Sequence, residues 1–512
     1  MPKVYKIIGP PGCGKTEYLL RQIEMACDKY FPKDLGVVSY TVASVSEAKD
    51  RIKKKLNISW KDIPNVRTIH SHCFNLLRTK KEDVMETAKN IRDFNDQYPA
   101  FQISTKIKNE DGEGREVSCD TNNDIYNQMQ ILRSRMVPTT EWPLECQHFG
   151  NAWFEFMENE GKIDFNGMLE QCLDRDLSPD IKVLMVDESQ DLPALQIALI
   201  KQWGEQCDTV LWAGDANQAI FRFAGSDPDN FINLRADKVI PLEQSYRLSP
   251  AILVKSVEII RQANIKEMVN FKATDDFGPG KILYCRQPDL TLPGSHMILC
   301  RCNFQLKRYI TALRKVFIPF CNQYRKEDKT WNPLELDGAL SIKMYLKFLG
   351  GEELNIYEIK QMIKNCIAKK CLRHGAKKKI DGLPLTDKKT YEFFGLMSMG
   401  FLGTFLDKQE TVSDYFRIKS ENSDLVCHLA DNNPDKLTEI PRITVGTIHS
   451  VKGGEADNVW IDSGLTVKIR KAIKNNNAWD DECRIAYVAA TRARKVVGIL
   501  PAKGYKNPFL NN

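Results

Sequence analysis

The chain has 512 residues, 42% hydrophobic and 27% charged, with a formal net charge of +6. That length exceeds one hydrophobic core and suggests roughly three or four units. The mild basicity permits a nucleic-acid partner without requiring one, and no apolar run of about 18 residues is present, so no membrane span is expected.

The first residues run directly into a strand pattern, so no signal peptide is expected. The 15 cysteines follow no regular spacing and are expected to be reduced, mostly core residues of a cytoplasmic chain. Cys366, Cys371 and His374 supply only three ligands among lysines and are not expected to hold a metal.

Residues 4–8 form a short apolar run with strand character. Gly9-Pro10-Pro11-Gly12-Cys13-Gly14-Lys15-Thr16 follows, and residues 17–29 then repeat apolar positions at helical spacing. Strand, glycine-rich turn and helix form the context in which G-x-x-x-x-G-K-[ST] cradles phosphate. Gly9, Gly12 and Gly14 let the backbone wrap an anion with its N–H groups and the positive helix end. Lys15 would reach the terminal phosphates, and the Thr16 hydroxyl would take a position on Mg²⁺. A nucleoside triphosphate ligand is predicted.

A strand at 35–41, a helix at about 44–55 and a strand at 66–71 continue the alternation. This predicts an α/β fold with parallel sheets and helices on both faces. Residues 81–171 break the rhythm with helical patterning and a polar turn at 109–114, and read as an inserted subdomain. The sheet resumes at 181–186, a nearly continuous apolar run of the kind a buried parallel strand needs. It ends in Asp187-Glu188-Ser189-Gln190-Asp191, where open α/β sheets place ligands. Asp187 would share Mg²⁺ with Thr16, and Glu188 would orient and deprotonate the attacking water. A further strand at 209–214 leads into a polar and aromatic loop.

A second α/β unit is predicted from about Pro250, with strands at 281–285, 296–300, 443–447, 459–461 and 496–500. Residues 321–439 form a second helical, lysine-rich insertion. The cores are therefore 1–80 with 172–248, and 249–320 with 440–512. The basic cluster within 360–379 reads on charge alone as a solvated lysine-rich face.

Taken together, the motifs G-P-P-G-C-G-K-T, R-T-I-H-S-H-C-F, V-D-E-S-Q-D, G-D-A-N-Q-A-I-F-R-F-A-G, Q-S-Y-R, V-G-T-I-H-S-V-K-G-G-E-A-D and Y-V-A-A-T-R-A-R appear in one order. In that order the chain resembles the UvrD/Rep-like helicases of superfamily one. The resemblance spans both cores and implies two RecA-like domains with ATP and Mg²⁺ between them. It gives Lys15, Thr16, Asp187 and Glu188 the roles just derived, and makes Gln218 a sensor of the terminal phosphate. It also implies that Arg247 and Arg492, supplied from the second half, stabilise transition-state charge, that Tyr246 stacks on adenine and that Glu455 reaches the ribose. Single-stranded DNA would meet Tyr40, Phe221 and Phe223 as stacking rings, with Thr41, Thr68, His70, Ser71, Thr447 and His449 near its backbone. For the basic cluster within 360–379 the resemblance implies, instead of a solvated face, a surface that touches duplex DNA or restrains the motor.

Three departures stand out. No glutamine motif precedes Gly9, Glu17 stands where relatives often carry arginine, and Ala224 replaces a frequent arginine. The chain runs about twenty residues past Arg492, with no appended nuclease expected; a small hairpin is predicted at 501–505. The resemblance implies an ATP-dependent helicase moving 3′ to 5′ on single-stranded DNA and unwinding duplex junctions, with partners in replication, repair or recombination and a bacterial or phage setting. The rival readings are a DNA-stimulated ATPase that strips bound proteins and a nucleotide-gated DNA-binding switch.

Overall fold

The computed structural model describes residues 2–39, 42–56, 61–104, 121–267, 270–325, 331–385, 389–418 and 420–510. Tyr40, Thr41 and the turn at 109–114 lie outside the described residues. The first sheet comprises β1 (Lys3–Ile8), β2 (Leu35–Ser39), β3 (Val66–Thr68), β4 (Val183–Val186), β5 (Thr209–Gly214) and β6 (Lys238–Pro241). They lie in the order β3-β2-β4-β5-β1-β6, and all five pairings are parallel.

Side chains alternate across this sheet as a pleat requires. Val38, Leu184, Val186, Val210 and Trp212 enter one core, while Ile7, Val37, Val183, Met185, Leu211 and Ala213 enter the other. Strand β4 is buried along its whole length, whereas β6 is largely exposed and carries Pro241, as an edge strand can. The register sets Ile8 opposite Gly214 and Val186 opposite Trp212. The residues that follow β1, β4 and β5, namely Gly9, Asp187 and Asp215, therefore emerge side by side at one sheet edge.

The second sheet comprises β7 (Lys281–Tyr284), β8 (His296–Cys300), β9 (Ile443–Thr447), β10 (Ala456–Asp462) and β11 (Ala493–Leu500), in the order β9-β8-β10-β11-β7. Strands β9 and β10 pair with β8 in parallel. The chain is thus α/β with two mainly parallel sheets, as expected.

Two compact units divide the chain. The first takes in Met1–Leu283, Gly464–Val497 and Ala502–Asn512, and the second takes in Tyr284–Ser463 and Gly498–Pro501. The first thus includes 464–497, a stretch that sequence patterning groups with the second core. Helix Asn476–Ala490 shows why. Its Asp480 carboxylate accepts from the backbone N–H groups of Asn264 (2.7 Å) and Ile265 (2.8 Å), and Arg484 Nη2 donates to the Ile265 carbonyl at 2.6 Å. Near the end of the chain the expected hairpin at 501–505 does not form on itself. Tyr505–Lys506 instead pairs antiparallel with Gly464–Leu465, and the Arg470 guanidinium lies 4.0 Å from the Tyr505 ring centre.

Each insertion region is mainly helical. In the first unit, helices Ala88–Gln97, Asn122–Ser134 and Leu144–Asn159 close on Phe94, Tyr126, Phe149, Trp153 and Phe156. In the second, Tyr345, Phe405, Tyr415 and Phe416 pack their rings together. Among the described residues no helix is long and apolar enough to cross a membrane.

Candidate functional site

The turn after β1 adopts the backbone that its glycines permit. Gly12 and Gly14 have φ of 72° and 78°, in the left-handed region where other residues are strained. Gly14 stands at the start of helix Lys15–Cys27 with no side-chain cap, which leaves the helix N–H groups and their positive dipole facing outward. A Cβ on Gly12 would lie 2.3 Å from Arg247 Cβ, so only glycine lets the Gln-Ser-Tyr-Arg segment pack here. That segment is tied to the turn twice. Ser245 Oγ donates to the Pro11 carbonyl at 2.8 Å, and the Tyr246 N–H donates to the Gly12 carbonyl at 2.8 Å. The Tyr246 ring is left 64% exposed beside the turn.

Lys15 is buried and donates to the carbonyls of Gly9 (2.8 Å) and Pro10 (3.3 Å). Burial works against its ammonium, but Cys13, Asp215, Glu188 and Asp187 outweigh it and hold the pKa above the usual lysine range. Thr16 Oγ1 donates to Asp187 Oδ2 at 3.0 Å. Burial, reinforced by the charge of Glu188, pushes the Asp187 carboxyl up to about 6. Glu188 has φ of 52°, a strained conformation for a residue with a side chain and one that clusters at functional sites.

Beyond the carboxylates runs a chain of buried amides and charges. Gln190 donates through Nε2 to Glu188 and accepts through Oε1 from the Asp215 N–H at 3.0 Å. Asp215 accepts from Gln218 Nε2 at 2.8 Å, and Gln218 Oε1 accepts from Arg492 Nη2 at 2.8 Å. Sequence reasoning misses Gln190 and Asp215 as site residues, although both lie inside the quoted motifs. Their signal is a polar residue just past a buried strand. Arg247 and Arg492, which the resemblance supplies from the second half, both belong to the first unit. Arg492 is there because helix Asn476–Ala490 packs on the turn Ala216–Gln218.

The nucleic-acid candidates fall into two groups. In the first unit, Thr68 caps helix Ile69–Leu76 by accepting from the Ser71 N–H at 3.2 Å. His70 meets Phe165 edge-on at 5.6 Å, and Phe221 meets Phe223 edge-on at 5.9 Å. Phe165 and Phe223 are 48% and 37% exposed, and Phe165 is a ring that helical patterning hides from a reading of the sequence. In the second unit, Thr447 and His449 are buried. Thr447 Oγ1 caps its own turn by accepting from the Ser450 N–H at 3.3 Å, so its hydroxyl is already engaged. Gly454, next to Glu455, lies under the Tyr324 ring, where a Cβ would come within 2.5 Å of Cζ.

A glycine-rich turn and a Thr–Asp pair at the edge of a parallel sheet define the class: a P-loop nucleoside-triphosphatase. The UvrD/REP helicase N-terminal domain model matches residues 2–238, and the UvrD-like helicase C-terminal domain model matches residues 407–503. The chain belongs to the UvrD/Rep-like helicase family of superfamily one. It is similar to the ATP-dependent DNA helicase PcrA of Bacillus subtilis, 26% identical over 303 residues covering 54% of this chain and 40% of that protein. The ATP-dependent DNA helicase Rep of Buchnera aphidicola is 23% identical over 289 residues, 50% of this chain and 42% of its own. Those two matches thus span less than half of each relative's length. A probable DNA helicase II homolog of Mycoplasma capricolum is 23% identical over 603 residues, covering 98% of this chain and 82% of that protein.

Proposed function

We propose that this protein hydrolyses ATP in a DNA-stimulated cycle, moves 3′ to 5′ along single-stranded DNA and unwinds duplex ahead of it. The observation that carries the proposal is the joining of Lys15, Thr16, Asp187, Glu188, Gln218 and Arg492 into one polar array at the edge of the first sheet, with Thr16 and Glu188 half-buried and the other four buried. ATP is the substrate. The uncapped helix start and Lys15 suit its terminal phosphates. Thr16 and Asp187, with a hydroxyl and a carboxylate oxygen 3.0 Å apart, are hard oxygen donors that fit Mg²⁺. Bound there, Mg²⁺ would supply positive charge for the phosphate oxygens.

The chain's own groups account for the remaining chemistry. Glu188 accepts the proton of the attacking water, held towards it by Gln190. Gln218, held between Asp215 and Arg492, is the group that turns to the terminal phosphate, and Arg492 beside it brings positive charge to the site. Arg247, packed on Gly12, supplies a second guanidinium beside the turn. Tyr246 offers its exposed face to the base. His70, Phe165, Phe221 and Phe223 offer rings to successive bases of a single strand, a grip that does not depend on sequence.

ATP hydrolysis with and without single-stranded DNA, measured beside Glu188→Gln, tests the reading. Turnover stimulated by DNA and reduced at least about 100-fold in the variant is expected. Equal turnover with and without DNA overturns the motor. A strand-displacement assay on duplexes with 3′ or 5′ single-stranded tails then separates unwinding and polarity from translocation alone.

A further inference from the structure

Helix Asn476–Ala490 buries one polar group that the cycle above leaves unused. Tyr487 is fully buried, yet its hydroxyl has no hydrogen-bond partner among the described residues. Buried phenols normally find one, and phenylalanine would fill the same space without the desolvation cost. Tyr487 lies five residues before Arg492, on the helix that packs against Ala216–Gln218. Burial, reinforced by the negative charge of Asp215 and opposed by Arg492, pushes the phenol well above its usual range. It is therefore a hydrogen-bond donor throughout the physiological range.

Both ends of the Gln218 amide are occupied: Nε2 donates to Asp215 Oδ2, and Oε1 accepts from Arg492. Asp215 Oδ1 has its own donor in the Asn217 N–H, at 3.0 Å. Among the described residues Gln218 is the one hydrogen-bond donor to Oδ2. To address a terminal phosphate, Gln218 has to turn away and leave that buried carboxylate oxygen unpaired, which is costly. A donor kept nearby without an acceptor removes the cost.

We propose that Tyr487 is a positioning residue for nucleotide sensing: its hydroxyl takes over Asp215 Oδ2 when Gln218 swings to the terminal phosphate. This rests on the ATPase reading above. The phenol is idle in the state described here and engaged in the triphosphate state. It makes the Gln218 switch a hydrogen-bond exchange instead of a hydrogen-bond loss. The same exchange ties helix Asn476–Ala490, and with it Arg492, to the presence of the third phosphate.

Tyr487→Phe tests this through binding as well as turnover. Calorimetric titration with ADP and with Mg²⁺–AMPPNP is expected to show unchanged ADP affinity and about tenfold weaker AMPPNP affinity, the effect of one hydrogen bond to a charged group. The melting temperature of the ligand-free variant is expected to stay level or rise, because an unpaired hydroxyl has been removed. In a Gln218→Ala background the Tyr487→Phe effect on AMPPNP is expected to vanish. An unchanged gap between ADP and AMPPNP overturns the inference, as does a fallen melting temperature or a full effect without Gln218. Wild-type protein that binds neither nucleotide refutes the ATPase reading and this inference with it; binding of both with an unchanged gap refutes this inference alone.

Discussion

Asp187 serves two opposed demands. It must present a charged carboxylate, yet it is buried beside Glu188, and its pKa rises from an ordinary 3.8 to about 6. A carboxyl raised in this way adds stability that is complete below its unfolded value and is lost as pH climbs through about 6. Asp187→Asn is therefore expected to raise the melting temperature of ligand-free protein at pH 8, to change it little at pH 4, and to abolish ATP turnover. Melts at the two pH values check the sign. His72 has the reverse sign: burial lowers its pKa from 6.5 to about 4, so its contribution is present above 6.5 and fades as pH falls towards 4. Lys15, Thr16, Asp187 and Glu188 are legible in the sequence because each is defined by immediate neighbours. Gln190 and Tyr487 are not, because what defines them is Asp215, distant in sequence. Thr447 and His449 show the converse. The family resemblance sets them near a DNA backbone, whereas in the structure packing buries both, and no periodicity separates a capping hydroxyl from a ligand-facing one.

The lysine-rich stretch across helices Ile356–Lys364, Ala368–Cys371 and Ala376–Asp381 divides by the work its charges do. Lys360 donates to the carbonyls of Asp381 (2.7 Å) and Leu383 (2.6 Å), Lys377 donates to that of Ile363 (3.1 Å), and Lys370 pairs with Glu410 at 2.7 Å. These hold the insertion together. Lys369, Arg373, Lys378 and Lys379 point to solvent. Replacing those four with serine is expected to leave the melting temperature within about 2 °C, as for exposed surface changes. It is also expected to weaken duplex binding and to flatten the salt dependence of log K by about 0.9 per lost phosphate contact. An unchanged slope in fluorescence-anisotropy titrations assigns the four charges to solvent alone. Helical patterning makes the insertion legible. Which lysines cap carbonyls depends on how short helices fold back on one another, and no linear pattern records that.

The phosphate-site residues collect in one unit although the chain supplies them from opposite ends. Pattern order groups residues 440–512 together, whereas the contacts of Asp480, Arg484 and Arg492 bind their helix to the first unit. Hydrogen exchange is expected to show Mg²⁺–AMPPNP protecting helix Asn476–Ala490 together with the turn at 9–16. Protection of the turn without the helix contradicts the link through Gln218. The discontinuity also bears on how the protein is made. Residues 1–283 leave the ribosome first, but the helix that covers Ile259 and completes the Gln218 array arrives only after about two hundred further residues, a delay of roughly 10–40 s at typical synthesis rates. Within that interval the ribosome makes Tyr284–Ser463, the greater part of the second unit. The unit begun first is therefore finished last, and the nascent chain carries an unfinished catalytic surface for most of its time in translation.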